Sequence, residues 1–122
     1  MALQKRSAPR IKRMIKRYAD QSVANTQLTV SSVADSGKAF RLVAVLVKWS
    51  AVVTKDVTVT LNSGLGTAWD TLIQTIVFAG ERNGVFIPDQ ELWFMDDDAI
   101  DVVAPAGGGG ITSAVQLILE TK

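Results

Sequence analysis

The densest group of side chains able to do chemistry is Asp96, Asp97, Asp98 and Asp101, with Asp89 and Glu91 just before them. Clustered carboxylates suit a hard cation such as calcium, but this spacing lacks the glycine and the distal glutamate of a calcium-binding helix-loop-helix. Aspartate side chains also bond nearby backbone amides, so 96–98 reads as a turn between strands, and its charge could receive a neighbour's basic arm. Gly64-Leu65-Gly66 and Gly107 to Gly110 hint at phosphate cradles, yet neither carries a Walker lysine or the full dinucleotide fingerprint. Trp49, Trp69 and Trp93 are read as core anchors ahead of stacking platforms for bases or sugars.

What is missing narrows the field further. The chain has no Cys and no His, which removes thiolate nucleophiles, cysteine zinc sites, imidazole ligands and the usual general base near neutral pH. An enzyme would have to be assembled from carboxylates, Lys or Tyr, and no such arrangement is apparent. The chain is therefore read as noncatalytic, with no cofactor and no metal ligand assigned. Its longest unbroken apolar run, Leu42 to Val47, falls far short of the roughly 20 residues of a membrane-spanning helix, so no membrane partner is expected.

The basic residues carry the strongest signal. Of 13 Lys plus Arg in 122 residues, seven lie in the first 17 positions with no acid among them: Lys5, Arg6, Arg10, Lys12, Arg13, Lys16 and Arg17. The formal charge of +1 thus divides into +7 for residues 1–17 and 6 − 12 = −6 for the remainder. Ser7 and Pro9 suit a helix start, and Ile11, Met14, Ile15 and Tyr18 recur at i, i+3, i+4 and i+7. This spacing predicts an amphipathic helix of about 11 residues, too short to be stable alone in water. The segment therefore needs a surface. Anionic lipid, nucleic-acid phosphates and an acidic protein face are the candidate surfaces; an organelle presequence and a merely solvated tail are the other readings.

Residues 1–25 read as a basic N-terminal arm and 26–122 as the folding unit. Val, Thr and Ile number 15, 10 and 8, a composition that favours strands. Residues 56–61 and 111–120 alternate with one wet face, whereas 40–49 is apolar on both faces and so predicts burial within the fold or against another subunit. Further strands are expected at 26–33, 72–78, 84–87, 91–95 and 99–104. Residues 72–78 also fit helical spacing, but their β-branched content favours a strand. Turns are expected at Asp35-Ser36-Gly37, Asn62-Ser63-Gly64, Arg82-Asn83-Gly84, Pro88-Asp89 and the four-glycine run, read as a mobile hairpin loop. About eight strands of this kind predict an all-β, antiparallel β-sandwich, jelly-roll-like, with a partly helical basic arm.

Two stretches carry a family resemblance. Val57-Thr58-Val59-Thr60-Leu61-Asn62-Ser63-Gly64-Leu65-Gly66-Thr67-Ala68-Trp69-Asp70-Thr71-Leu72 joins a strand to a small-residue turn and an aromatic-Asp-Thr. Leu92-Trp93-Phe94-Met95-Asp96-Asp97-Asp98-Ala99-Ile100-Asp101-Val102 is an aromatic strand entering an Asp-rich turn. Over residues 40–120 the chain resembles small β-sandwich head proteins of tailed bacteriophages, and the arm lies outside the match. The resemblance implies a virion subunit on the capsid surface or head, of decoration or cement type or a head or neck accessory. Its implied partners are the major capsid protein or other virion proteins and further copies of itself, with a trimer among the states considered. The expected contacts from the arm are Lys5, Arg6, Arg10, Ile11, Lys12, Arg13, Met14, Ile15, Lys16, Arg17 and Tyr18. The rival readings are a nucleic-acid-binding protein that uses the basic arm, a tail accessory and a glycan-binding virion domain.

Overall fold

Strands begin earlier than the charge pattern suggests. The computed structural model describes residues 13–122, and nine strands occupy most of them: β1 (Met14–Gln21), β2 (Leu28–Ser31), β3 (Phe40–Val53), β4 (Asp56–Asn62), β5 (Thr71–Val77), β6 (Glu81–Phe86), β7 (Trp93–Phe94), β8 (Ala99–Ala104) and β9 (Ser113–Thr121). One 3-10 turn, Thr67–Trp69, lies between β4 and β5. The first sheet runs β1-β9-β3-β6, with β7 also on β3, and the second runs β2-β8-β4-β5. Every pairing is antiparallel. With β6 and β7 continuing one position in the first sheet, this order is that of a jelly roll.

The helix expected across Met14 to Tyr18 is replaced by β1. All eight residues of β1 pair with β9, from Met14 opposite Thr121 to Gln21 opposite Ala114. A one-face apolar pattern at helical spacing is a local signal, and a helix this short gains little from it. The edge of β9 offers a backbone partner for the entire segment, and that ladder decides the conformation. Residues 1–12, the start of the expected helix, lie outside the described residues.

A second correction concerns β3. Its pairing with β9 shifts between Leu42 and Ala44, leaving Val43 as an extra residue. This β-bulge exchanges the two faces of the strand. Phe40 and Leu42 point into the core before it, and Val45, Val47 and Trp49 do so after it; all five are buried. What reads as a strand apolar on both faces is largely one core face interrupted by an extra residue.

The core lies between the sheets. Leu42, Val45, Val47, Trp49, Val115, Leu117 and Leu119 from the first sheet meet Leu28, Val30, Val57, Val59, Ile100 and Val102 from the second. Trp49, 1% exposed, packs edge-on against Phe78 with ring centroids 5.9 Å apart. The turn expected at Arg82-Asn83-Gly84 is instead part of β6, and the chain reverses just before it, where Gly80 has φ 87°. Gly84 serves packing, because a Cβ there would lie 2.6 Å from the Phe78 ring. The four-glycine loop is tied down: Gly108 N–H donates to Asn25 Oδ1 at 3.1 Å and Ile111 N–H to Gly108 O at 3.1 Å.

Candidate functional site

Residues opposite one another across a ladder share a face, so the register assigns the outer surfaces. On the outside of the first sheet the rows are Ile15, Glu120, Arg41; then Arg17, Ile118, Ala44; then Ala19, Gln116, Leu46, Val85; then Gln21, Ala114, Lys48, Asn83. The middle rows are mostly apolar. Leu46, Val85, Ala114 and Gln116 border a shallow depression of about 250 Å³, and Ile15 and Val85 are exposed. On the outside of the second sheet, Ser31, Asp101, Thr60 and Leu72 form one row, and Thr29, Val103, Thr58 and Thr75 the next, with Asp56 opposite Val77 beyond them. One broad face is therefore greasy at its middle with scattered cations, and the other is rich in hydroxyls and carries acid, its exposed large apolar side chains, Leu72 and Val77, lying on the edge strand β5.

Of the arm residues expected to bind a partner, Lys5, Arg6, Arg10, Ile11 and Lys12 lie outside the described residues. Among the others, several are engaged within the fold. Arg13 Nη1 donates to Glu120 Oε1 at 3.0 Å, and Arg41 Nη2 reaches Glu120 Oε2 at 3.0 Å. Lys16 Nζ sits 2.8 Å from Asp35 Oδ2. Tyr18 packs against the core while its hydroxyl donates to Val33 O at 3.2 Å. Met14, Ile15 and Arg17 stay exposed.

Glu120 is 7% exposed, so its charge needs these two partners. Burial disfavours ionisation, yet the hydrogen bonds from Arg41 and Arg13 outweigh it and hold the carboxyl below its ordinary range. The hydrogen bond from Lys16 likewise holds Asp35 below the ordinary range, against a smaller opposing effect of desolvation. A carboxyl with a depressed folded-state pKa stabilises the fold above its unfolded pKa, and that contribution is lost as pH falls through the folded pKa. Thermal melts between pH 7 and pH 2 are therefore expected to show stability falling on the acid side. The Glu120→Gln variant should melt lower at pH 7 and lose less on acidification.

One end of the sandwich holds a groove of about 630 Å³ between two turns. The β4–β5 turn contributes Leu61, Ser63, Leu65 and Trp69, and the β7–β8 turn contributes Trp93, Met95, Asp97 and Asp98. Trp69, Leu65 and Met95 are 61%, 73% and 66% exposed, so Trp69 is no core anchor, whereas Trp49 is. Asp98 joins the two turns: its Oδ1 accepts from Gly64 N–H at 2.9 Å and its Oδ2 from Met95 N–H at 3.0 Å. Asp96 Oδ2 accepts from Gly37 N–H at 2.7 Å, and Asp70 Oδ1 from Ser63 N–H at 2.8 Å. The aspartates thus act as loop ties, as the spacing suggests. Among the described residues no group of three acidic side chains is placed to hold a metal ion.

No family model and no curated protein matches the chain. Similar solved structures include the core of Drosophila NLP, described in terms of pentamer formation and histone binding. It is 14% identical, with a TM-score of 0.46 over 84% of this chain and 96% of that one. A family 29 carbohydrate-binding module is 20% identical, with a TM-score of 0.42 over 76% of this chain and 59% of the module chain. A mutant of a family 29 module is 21% identical, with a TM-score of 0.41 over 76% of this chain and 61% of that one. At these scores the likenesses carry no argument about function.

Proposed function

We propose that this chain is a noncatalytic structural subunit of a virion, of the capsid decoration or cement type, attached through the outer face of its first sheet and through its basic leading segment. The observation that carries this reading is the contrast between the two outer faces. A sheet that turns Ile118, Leu46 and Val85 outward has an apolar strip available for a protein neighbour, and such surfaces mark association sites. The family resemblance of residues 40–120 supplies the setting, and the lack of His and Cys agrees with a role in which nothing is catalysed. The neighbour is the major capsid protein or another virion protein, with further copies of this chain alongside.

The engagement of Arg13 and Lys16 by Glu120 and Asp35 weighs against a phosphate-binding role for this part of the segment. The test is incorporation into particles that lack the subunit. Unmodified chain should bind, and the Leu46→Glu, Val85→Glu double variant, still folded by circular dichroism, should lose at least about tenfold in occupancy, a desolvated charge costing well over 1.4 kcal/mol. Equal occupancy of the two chains would remove the outer face from the attachment. Retention of duplex DNA with a steep salt dependence, without particle binding, would replace the reading by a nucleic-acid one.

A further inference from the structure

We infer that the free edge of β1 pairs antiparallel with the β1 edge of a second copy, joining the first sheets of two chains across a two-fold axis. The two sheets leave β1, β6 with β7, β2 and β5 at their edges. Most of these are blunted in the ways that keep edges from pairing. β2 has four residues and β7 two, the ladder of β5 is interrupted at Ile73, and that of β6 is irregular and carries Gly84 within it. β1 differs: its eight residues contain no Pro, Gly or bulge and keep one unbroken register with β9. Ser22 N–H donates to Ser113 O at 2.8 Å, and bonding direction alternates along an antiparallel strand. The N–H and C=O groups of Ile15, Arg17, Ala19 and Gln21 therefore point away from β9. Gln21 N–H agrees, donating to Asp20 Oδ1 at 2.8 Å, and among the described residues no backbone group meets the other three on that side.

Charge selects both the occupant and the register. A two-fold pairing sets one residue of β1 opposite itself, because residues that face each other across a ladder must share a face of the sheet. Centred on Lys16, Arg17 or Asp20, it would set a charge against the same charge. Centred on Tyr18, it sets Lys16 opposite Asp20 of the second copy, twice, with Arg17 opposite Ala19 and Ile15 opposite Gln21. Centred on Ala19, it brings no opposite charges together and shortens the overlap within β1 to residues 17–21. Asp20 is exposed and, among the described residues, belongs to no ion pair. Lys16 gives one ammonium hydrogen to Asp35 at 2.8 Å and keeps two for another acceptor. The axis stands perpendicular to the sheet, so the outer faces of the two copies turn the same way and their apolar strips lie on one side. Two such strips on one particle attach more firmly than one. The inference goes beyond the virion reading and does not depend on it: particle incorporation tests the outer face, and the mass of the isolated chain tests the edge.

The test is sedimentation equilibrium of the full chain and its variants from micromolar to millimolar concentration. Ala19→Pro removes an N–H that faces away from β9, where an edge strand tolerates proline. Asp20→Lys opposes Lys16 with a like charge and alters only an exposed side chain. The full chain should reach a doubled mass, and both variants should stay monomeric with unchanged far-ultraviolet circular dichroism. Asp20→Asn should weaken the dimer about tenfold, through the loss of two cross-strand charge pairs, and Asp20→Glu should match the parent. If Ala19→Pro does not fold, the Asp20 series decides alone. A full chain that stays monomeric throughout would overturn the inference. A dimer that Asp20→Lys leaves unchanged would overturn it too, because the contact would then lie elsewhere on the molecule.

Discussion

Deleting residues 1–21 is expected to destroy the cooperative fold, whereas deleting residues 1–12 is expected to leave it intact. The charge pattern alone puts both cuts inside a dispensable arm, but the two are physically different. The longer deletion removes β1, whose eight residues all pair with β9, and it removes Tyr18 from the core. Burial of one large side chain contributes about 2 kcal/mol, and the ladder, the Lys16–Asp35 pair and the Arg13–Glu120 contact go with it. Against a total stability of roughly 5–15 kcal/mol, these losses take much of what holds the domain together. The deletion also turns β9 into a long open edge, which favours aggregation. Thermal melts followed by circular dichroism, with light scattering, separate the outcomes: a transition within a few degrees of the parent for the shorter deletion, and no transition or aggregation for the longer one.

Deleting Leu46 is expected to unfold the chain, while deleting Val43, three residues earlier, leaves it folded. Val43 is the extra residue of the bulge, and its neighbours Leu42 and Ala44 already stand opposite Leu119 and Ile118. Without Val43 the ladder becomes regular and each later residue keeps its face. Loss of Leu46 shifts everything after it by one position, and a one-residue slip exchanges the two faces of a strand. Lys48 then takes the place of Val47, and Ser50 that of Trp49. Losing Trp49 from the core costs about 3–5 kcal/mol, and an unpaired ammonium in its surroundings adds several kcal/mol more. Near-ultraviolet circular dichroism should retain the signal of packed aromatic rings in the Val43 deletion and lose it in the Leu46 deletion. Equal tolerance of the two would mean that the bulge does not set the face of β3.

Much of the architecture is legible from single segments. The alternation of Val57, Val59 and Leu61 marks β4, and that of Ser113, Val115, Leu117 and Leu119 marks β9, because a half-buried strand imposes period two on its own residues. Residues 99–104 coincide with β8, and the β-branched run at 72–78 outweighs its helical spacing, giving β5. The groove was only half legible. The spacing of Asp96 to Asp98 points to a turn, and hydrogen bonds from Asp98 and Asp96 make one. The two walls come from turns about 30 residues apart, and no local rule places Trp69 opposite Met95. Glu120 shows the limit most clearly. In an alternating strand it reads as a residue of the wet face, yet it is buried between two arginines, one of them 107 residues away in sequence.

The partition of charge into +7 and −6, the absence of an imidazole or thiol and the strand-forming composition belong to the amino-acid sequence alone, because they depend on which residues are present and not on where they meet. Tertiary structure decided that the basic stretch becomes a strand from Met14 onward, since a short helix is weak by itself and the edge of β9 supplies it with backbone partners. It also decided, through one bulged residue, that most of the apolar side chains of β3 share a single core. The two turns that form the groove met in the same way, through contacts between distant segments. Local pattern specifies what each segment can bury, and the pairing of strands specifies against what.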